Sequence, residues 1–416
     1  MQIAADHCGN RQRLVIVGAG MAAAYLLQEL GGACADLDIT VIGEESDTCY
    51  NRVLLSNVLA GERTEADLRM LEASAERELV NFLPGTRVDS VDLERRSLVT
   101  DRGQVLHWDR LVFATGASVA RPCLPNGNVR GVEQFRTLAD ASHLRRLAAE
   151  GDPAIVVGGG LLGLEAAHGL NTLGFSTTVV HRQSWLMNRQ LDDQGASQLQ
   201  IDLQRNGIRF RLGESVAALE TDGEMLTGVE LQGGETLPCK LLLFATGIKP
   251  NADLAGAAGL AVDRGILIDG RMRTSTQGVY ALGECSQIGR ECFGLVAPIR
   301  EQARVLAREL LGTAVAPFSP GRWPTQLKIS GIEIFSAGDL DLGGEHLVLR
   351  DESAGVYRRL VLREGRLVSA ILVGDKRGGG WYSELISSGT DISGFRSGLV
   401  FGREVSEALQ QSARAA

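Results

Sequence analysis

Cysteine, histidine, proline and aromatic residues are all scarce in this chain of 416 residues. Its seven cysteines contain no C-x-x-C pair, which argues against an iron–sulfur cluster or a structural zinc site. An odd number of thiols without paired spacing is typical of a reducing compartment. The six histidines form no H-E-x-x-H motif, so the sequence predicts no metal site.

Long apolar runs and dense positive charge are also missing. No apolar stretch reaches the roughly 18 residues of a transmembrane helix, and the first residues, MQIAADHCGNRQR, lack the apolar core of a secretory signal. The net charge of −9 makes nucleic acid and an anionic membrane poor candidates as partners. Together these absences predict a cytoplasmic protein.

Glycine, in contrast, is abundant, since 51 of 416 residues is about 12% against a typical usage of about 7%. With only 10 prolines and 5% aromatic residues, this excess is neither collagen-like nor low in complexity. A hydrophobic content of 44% with 22% charged residues is typical of a soluble globular protein. At roughly 150 residues per domain, the length predicts two to four domains.

A first dinucleotide fingerprint begins at RLVIVGAGMAAAYLLQEL, residues 13–30. Gly18 permits a tight turn, Gly20 lets a pyrophosphate approach the backbone, and Ala23 is small enough for close helix–strand packing. The phosphates would then meet the free N–H groups of the helix N-terminus. The next strand, DITVIGEE, ends with Glu44, an acid placed to bind a ribose hydroxyl.

The fingerprint repeats in AIVVGGGLLGLE, residues 154–165, with Gly158, Gly160 and Gly163. The strand that follows ends in His181 and Arg182 rather than in a carboxylate. Because an arginine can accept a 2′-phosphate that an acid would repel, both NADH and NADPH stay open. Two fingerprints predict a flavin and a nicotinamide, which can exchange hydride directly; the alternative is a duplicated domain with one inactive site.

Three apolar strands end in glycine turns that frame these fingerprints. DRLVFATGA and KLLLFATGIKPN each close on Ala-Thr-Gly, with Thr115 and Gly116 in the first and Gly247 in the second. TSTQGVYALGEC, residues 274–285, runs a short strand into Gly283 and then Glu284, whose carboxylate could hydrogen-bond a ribityl hydroxyl. The alternative role, an N-cap for the helix EQARVLARELLG, is less suitable because Glu284 lies too far upstream.

The order of these motifs resembles the flavoprotein reductases of the pyridine nucleotide–disulfide oxidoreductase fold. The resemblance implies an α/β chain with two Rossmann-like domains, in which the NAD domain interrupts the FAD domain, plus a smaller α+β C-terminal domain. It places FAD in 1–120 and 245–320, NAD(P) in 121–244, and an interface domain that can support a homodimer in 321–416. Within that last domain, GVYRRLVLREGRLVSAILVG predicts a β-hairpin with its bend at Glu-Gly.

The branch of the fold is indicated by what receives electrons from the flavin. The redox C-x4-C of glutathione reductase-like enzymes is absent, and Cys49 is interpreted as incidental. Rubredoxin and ferredoxin reductases usually carry Leu-Ser-Lys where this chain has Leu55-Ser56-Asn57, and their lysine pairs beside the flavin with a glutamate that is kept here as Glu165.

Other segments resemble the NAD(P)H nitrite reductase large subunit and the electron-transfer subunit of assimilatory nitrate reductase. They are YNRVLLSNVLAG, SWLMNRQLD, GLVAPIREQA and TQLKISGIEIFSAGD. Those larger proteins continue into an iron–sulfur segment, so the chain is expected to be a stand-alone reductase or an excised flavin module.

The resemblance thus implies an FAD-dependent oxidoreductase that takes hydride from NADH or NADPH. Its expected acceptor is a nitrate or nitrite reductase component, or a small iron–sulfur protein. The alternatives are a rubredoxin or ferredoxin reductase and, from another class, a non-catalytic flavin-bound sensor or scaffold. Glu165 is expected near the stacked rings. The expected cofactor-binding residues are Gly18, Gly20, Ala23, Glu44, Arg52, Thr115, Gly116, Gly158, Gly160, Gly163, His181, Arg182, Gly247, Gly283 and Glu284.

Overall fold

The secondary structure of the chain comes from a computed structural model, which describes residues 11–71, 79–120, 129–148, 150–321, 323–327, 329, 331–340 and 343–415. The cysteines at positions 8 and 123 lie outside the described residues. None of the described helices is long and apolar enough to cross a lipid bilayer.

Strands outnumber helices in the described chain. The strands of the first half are β1 Gln12–Val17, β2 Leu37–Ile42, β3 Val80–Leu83, β4 Val88–Asp92, β5 Ser97–Thr100, β6 Val105–His107, β7 Arg110–Phe113, β8 Ala117–Val119, β9 Val132–Glu133, β10 Pro153–Val157, β11 Ser176–His181, β12 Arg209–Leu212 and β13 Val216–Asp222. Those of the second half are β14 Met225–Leu231, β15 Thr236–Pro238, β16 Leu241–Phe244, β17 Ile248–Pro250, β18 Ile266–Leu267, β19 Val279–Ala281, β20 Ser286–Ile288, β21 Glu291–Cys292, β22 Thr325–Gln326, β23 Ile334–Gly338, β24 Glu345–Asp351, β25 Val356–Arg363 and β26 Arg366–Val373.

The helices connect the strands and cover the sheets. The α-helices are α1 Met21–Leu30, α2 Leu55–Leu59, α3 Leu138–Leu147, α4 Leu161–Thr172, α5 Asp193–Arg205, α6 Asp253–Ala257, α7 Val296–Leu310, α8 Gly379–Ser388 and α9 Arg403–Ala415. Short 3₁₀ turns occupy Gly31–Asp36, Arg52–Leu54, Ala66–Leu68, Gly283–Cys285 and Arg396–Phe401.

Two five-stranded parallel sheets dominate the molecule. The first has the order β19-β7-β1-β2-β3, and the second has the order β12-β11-β10-β16-β9. Their central strands β1 and β10 are short apolar runs buried on both faces, as parallel sheets covered by helices require. In both sheets the fingerprint strand is central and the helix after it starts at its carboxyl end, which is the Rossmann arrangement. The α/β fold class expected from the sequence is confirmed.

The chain crosses between the two sheets twice, and the crossings lie side by side. β8 follows the first Ala-Thr-Gly motif, β17 follows the second, and the two strands pair in antiparallel fashion. The Thr115 hydroxyl donates to the Asn251 carbonyl oxygen at 2.7 Å, and the Asn251 amide donates back to the Thr115 carbonyl oxygen at 2.9 Å. The crossings therefore form a hydrogen-bonded ribbon that fixes one Ala-Thr-Gly turn against the other.

The C-terminal region forms an antiparallel sheet with the order β22-β23-β26-β25-β24, accompanied by α8 and α9. The predicted hairpin is confirmed as β25 and β26. Its bend is Glu364-Gly365, with φ of 50° and 70°, and a two-residue loop with two positive φ angles matches the right-handed twist of the strands. The Tyr382 ring is fully buried in the core of this region.

The C-terminal sheet packs against α5, the helix before β12 of the second parallel sheet, through one shared apolar cluster that includes Leu199, Leu203, Tyr357 and Ile371. A polar contact accompanies it. The Tyr357 hydroxyl donates to Asp192 Oδ2 at 2.6 Å, and Arg359 lies 3.3 Å from the same oxygen. Asp192 also caps α5 by accepting from the Gly195 N–H at 2.9 Å, so one carboxylate starts a helix and joins two regions.

Tyr357→Phe tests this junction, because it removes one hydrogen bond to the partly buried Asp192 carboxylate and leaves the ring in place. We expect the free energy of unfolding to fall by about 1–2 kcal/mol, measured by urea denaturation of the purified chain. Tyr25→Phe is the matched control, since among the described contacts the Tyr25 hydroxyl makes no hydrogen bond. Equal losses from both variants would contradict a stabilising role for the Tyr357–Asp192 contact.

Candidate functional site

The first glycine loop joins β1 to α1 and is shaped by close contact with a neighbouring strand. Gly18 has a φ of 112°, and its N–H donates to the Ile42 carbonyl oxygen at 2.7 Å. A Cβ atom at Gly18 would lie 2.1 Å from the carbonyl oxygen of Ala114, so only glycine fits. A Cβ at Gly20 would meet nothing closer than the Arg52 guanidinium at 4.0 Å. Ala23 is fully buried beneath the loop.

The carboxyl edge of the same sheet brings Gly116, Gly283 and Glu284 together. A Cβ at Gly116 would lie 3.7 Å from Oε2 of Glu284, although 168 residues separate the two positions in the sequence. The Glu284 carboxylate forms an ion pair with Arg136, whose side chain is only 16% exposed. Arg136 also donates to the Ala117 carbonyl oxygen at 3.2 Å. Sequence reasoning missed Arg136, which directly precedes the Thr137 capping box of α3.

Arg52 approaches the first glycine loop from the other side. Its guanidinium is paired with Glu45, and it donates to the Arg136 carbonyl oxygen at 3.0 Å. The Tyr50 hydroxyl also donates to Glu45, and burial raises the pKa of Tyr50 well above its ordinary value. Glu44, the acid selected from the sequence, is exposed. Two adjacent acids therefore follow β2, and the second of them, Glu45, is turned toward Arg52.

Gln302 on α7 is a second residue that sequence reasoning missed. It is fully buried, and its Oε1 accepts the Gly283 N–H at 2.8 Å. Its Nε2 has no hydrogen-bond partner among the described residues. A buried amide donor costs free energy unless it is satisfied, so this group is suited to a ligand acceptor beside Gly283. The only sequence signal was a polar residue on the otherwise apolar face of a helix.

The second glycine loop joins β10 to α4 and repeats the contacts of the first. Gly158 has a φ of 125°, and a Cβ there would lie 2.4 Å from the carbonyl oxygen of Ala245. A Cβ at Gly163 would lie 1.9 Å from the Gly158 carbonyl oxygen, whereas one at Gly160 would meet no atom within 4 Å. The first and third glycines are thus required by packing, and the second leaves open space. Gly247 follows Ala245 in the same turn, with a φ of 121°.

The end of β11 closes this second loop. His181 is buried, and its Nδ1 accepts the Gly159 N–H at 3.1 Å. Burial lowers the pKa of His181, with the positive charge of Arg182 contributing, which favours the neutral imidazole that the accepting nitrogen requires. Arg182 itself is exposed. The structure therefore brings His181 to the glycine loop and leaves Arg182 at its outer rim.

Glu165 lies on α4, one turn into the helix, and is buried. This helix packs against α2, because a Cβ at Gly169 would lie 2.8 Å from Cδ2 of Leu59. Asn57 of α2 donates to Glu62 Oε2 at 2.6 Å, and His168 Nε2 lies 3.9 Å from the same carboxylate. The amide that replaces the lysine expected from the resemblance is therefore bonded to Glu62.

Cys49 is buried next to the first glycine loop and has a φ of 54°. Its N–H donates to the Ala19 carbonyl oxygen at 2.7 Å. Among the described residues, no group of three or more His, Cys, Asp and Glu side chains could hold a metal ion.

Comparison with known proteins agrees with this geometry. The family model for pyridine nucleotide-disulphide oxidoreductases matches residues 12–305, and that for the rubredoxin NAD+ reductase C-terminal domain matches 324–390. The chain is 35% identical over 388 residues to nitrite reductase [NAD(P)H] of Bacillus subtilis (strain 168), covering 92% of this chain and 48% of the relative. It is 34% identical over 372 residues to the assimilatory nitrate reductase electron transfer subunit of the same organism, covering 88% and 48%.

The chain therefore spans about half the length of these curated relatives. A crystal structure of the covalent putidaredoxin reductase–putidaredoxin complex superposes with a TM-score of 0.85 over 97% of this chain and 99% of that chain. Its 24% sequence identity makes this a likeness of fold.

Gly158→Ala and Gly160→Ala should separate folding from nucleotide binding. Alanine at position 158 needs a strained backbone and collides with Ala245, so we expect the free energy of unfolding to fall by about 1–3 kcal/mol. Alanine at position 160 should leave ligand-free stability within about 0.5 kcal/mol and weaken ADP binding about tenfold or more. Thermal unfolding and calorimetric titration measure the two effects. Unchanged ADP binding by Gly160→Ala would contradict this assignment.

Gln302→Leu should weaken FAD binding, because it removes both the acceptor for the Gly283 N–H and the buried donor. Loss of one or two buried hydrogen bonds predicts a Kd for FAD raised about tenfold to a hundredfold, measured by fluorescence during reconstitution of the flavin-free chain. Gln194→Leu on the exposed side of α5 is the control. FAD affinity equal to that of the parent chain would rule out the proposed contact.

Proposed function

The chain belongs to the pyridine nucleotide-disulphide oxidoreductase family, and we propose that it is an FAD-dependent reductase that takes hydride from NADH or NADPH. We further propose that it passes the electrons to a protein partner of nitrate or nitrite assimilation. The observation that carries the proposal is the pair of glycine loops, each held against an Ala-Thr-Gly strand end and each with open space at its second glycine.

The first site fits FAD. Its open second glycine admits a pyrophosphate at the N-terminus of α1, and the buried Nε2 of Gln302 offers a donor beside Gly283. When bound, a flavin supplies a ring that accepts hydride and releases electrons singly. We propose that FAD is held by Gly18, Gly20, Ala23, Glu44, Arg52, Thr115, Gly116, Gly283 and Glu284, joined by Arg136 and Gln302.

The second site fits a nicotinamide dinucleotide. The space at Gly160 opens onto the N-terminus of α4, where free N–H groups and the helix dipole favour an anion. His181 completes the loop by accepting the Gly159 N–H. We propose that NAD(P)H is held by Gly158, Gly160, Gly163, His181, Arg182 and Gly247.

Glu165 is proposed to lie where the two nucleotides meet. It is buried on the helix that starts at the second glycine loop, and this helix packs on α2, which follows Arg52 closely in the chain. A side chain between the two sites can position the reacting rings, which need reacting atoms about 3–3.5 Å apart. Glu165 is therefore assigned a positioning role.

The domain organisation is proposed on the same basis. Four strands within 12–113 (β1, β2, β3 and β7) share the first parallel sheet with β19 at 279–281, and five strands within 132–244 (β9, β10, β11, β12 and β16) form the second. This supports an FAD domain of 1–120 and 245–320, an NAD(P) domain of 121–244 and a C-terminal interface domain of 321–416. Cytoplasmic localisation and a homodimer are part of the proposal, and sedimentation of the purified chain tests the dimer.

The proposed acceptor follows from the relatives. Two of them are named as a nitrite reductase and as the electron transfer subunit of a nitrate reductase. A rubredoxin or ferredoxin is the second candidate, because residues 324–390 match the C-terminal domain of rubredoxin NAD+ reductase. A non-catalytic flavin-bound scaffold is the candidate from another class.

Anaerobic mixing of the FAD-loaded protein with NADH or NADPH tests the proposal. We expect the flavin absorbance near 450 nm to bleach on the order of 1–1000 per second, the range of ordinary enzyme turnover, and to recover when a nitrate or nitrite reductase component is added. Faster recovery with rubredoxin or ferredoxin would favour the second acceptor. Absence of bleaching with both nucleotides would leave a scaffold as the better description.

A further inference from the structure

The outer rim of the second nucleotide site carries a positive charge at the end of β11. We infer that this site selects NADPH over NADH, with Arg182 binding the 2′-phosphate of the adenosine ribose. This inference rests on the proposed function, because it specifies which nucleotide occupies the site already assigned to NAD(P)H.

The residue that ends β11 carries no negative charge. His181 lies against the glycine loop, where its Nδ1 accepts the Gly159 N–H at 3.1 Å and a Cβ at Gly159 would lie 2.8 Å from its Cγ. An acid at this strand end binds a ribose 2′-hydroxyl, but it would repel a 2′-phosphate, which carries a charge of about −1.5 to −2. The neutral imidazole at this position creates no such repulsion.

The segment after β11 is fastened to the same glycine. The Met187 N–H donates to the Gly159 carbonyl oxygen at 2.8 Å, and Leu186 Cδ2 would lie 2.8 Å from a Cβ at Gly159. Trp185 is 38% exposed, and its indole N–H donates to the Leu191 carbonyl oxygen at 3.2 Å. The segment that contains Arg182 is therefore bonded to Gly159 on both sides, through His181 before it and Met187 after it.

Arg182 is exposed, and no carboxylate among the described residues forms an ion pair with it. The acids that neighbour the loop are directed elsewhere. Glu214, whose N–H donates to the His181 carbonyl oxygen, accepts from the Gly233 N–H at 3.3 Å. Asp192 is engaged by Gly195 and Tyr357. The guanidinium is thus available to a ligand, and its planar donors match a phosphate.

Competition between two adenosine nucleotides isolates the 2′-phosphate from the redox reaction. We expect the FAD-loaded protein to bind adenosine 2′,5′-bisphosphate at least tenfold more tightly than 5′-ADP, measured by calorimetric titration at 0.15 M salt, where long-range attraction is screened. Arg182→Leu should reduce the affinity for the bisphosphate by about tenfold to a hundredfold. The affinity for 5′-ADP should change less than threefold.

The matched control is Arg205→Leu, which also removes one exposed arginine. Arg205 lies at the C-terminal end of α5, about 18 Å along the helix from its first residue. It should leave both affinities unchanged. Arg182→Glu is the second variant at the exposed position, and it should weaken bisphosphate binding beyond the leucine variant. Equal affinity of the parent chain for both nucleotides, or equal losses from the two leucine variants, would overturn the inference.

Anaerobic flavin reduction then separates this inference from the proposed function. NADPH should reduce the flavin of the parent protein at least tenfold more efficiently than NADH, and Arg182→Leu should remove that preference by slowing NADPH alone. More efficient reduction by NADH would overturn the inference while supporting the proposed function. If neither nucleotide reduced the flavin but the bisphosphate bound through Arg182, the proposed function would fail and the assignment of the phosphate site would stand.

Discussion

The contact between each glycine loop and a neighbouring strand end is the constraint on which both sites depend. Gly18 lies on the carbonyl oxygen of Ala114, and Gly158 lies on that of Ala245. Each alanine is the first residue of an Ala-Thr-Gly motif. In both sheets, the dinucleotide fingerprint therefore packs directly against an Ala-Thr-Gly motif. With no Cβ between them, the strands and loop approach closely enough to direct a helix N-terminus at the open carboxyl edge of the sheet.

The same motifs also connect the two sheets. Directly after each Ala-Thr-Gly, the chain enters the ribbon formed by β8 and β17, in which Thr115 and Asn251 exchange hydrogen bonds. A shift of one sheet relative to the other would break the hydrogen bonds of this ribbon. The ribbon therefore connects the two proposed nucleotide sites directly, through hydrogen bonds next to each Ala-Thr-Gly turn.

Much of this arrangement could be predicted because it depends on local patterns. Strand, glycine turn and helix follow one another within about twenty residues in both fingerprints. The hairpin bend was predictable because Glu-Gly separates two alternating apolar runs, and both bend residues, Glu364 and Gly365, have positive φ angles. Arg136 and Gln302 could not be found in that way. Arg136 meets a carboxylate 148 residues away, and Gln302 is distinguished only by burial. At the end of β2 the pattern selected the first of two adjacent acids, whereas side-chain packing turned the second toward Arg52.

The two sites differ in how many parts of the chain build them, and this difference bears on which nucleotide is exchanged. The proposed first site combines its glycine loop with Arg52, Arg136, Glu284 and Gln302, so a ligand held there would contact several segments that are distant in the sequence. A ligand that binds only the folded chain stabilises it by mass action. The second site is built largely from the contiguous segment 158–187, and its rim residue Arg182 is exposed. A nucleotide held at this proposed site would contact fewer separate segments of the chain than one held at the first. The architecture therefore suits a retained FAD at the first site and a nicotinamide dinucleotide that exchanges at the second.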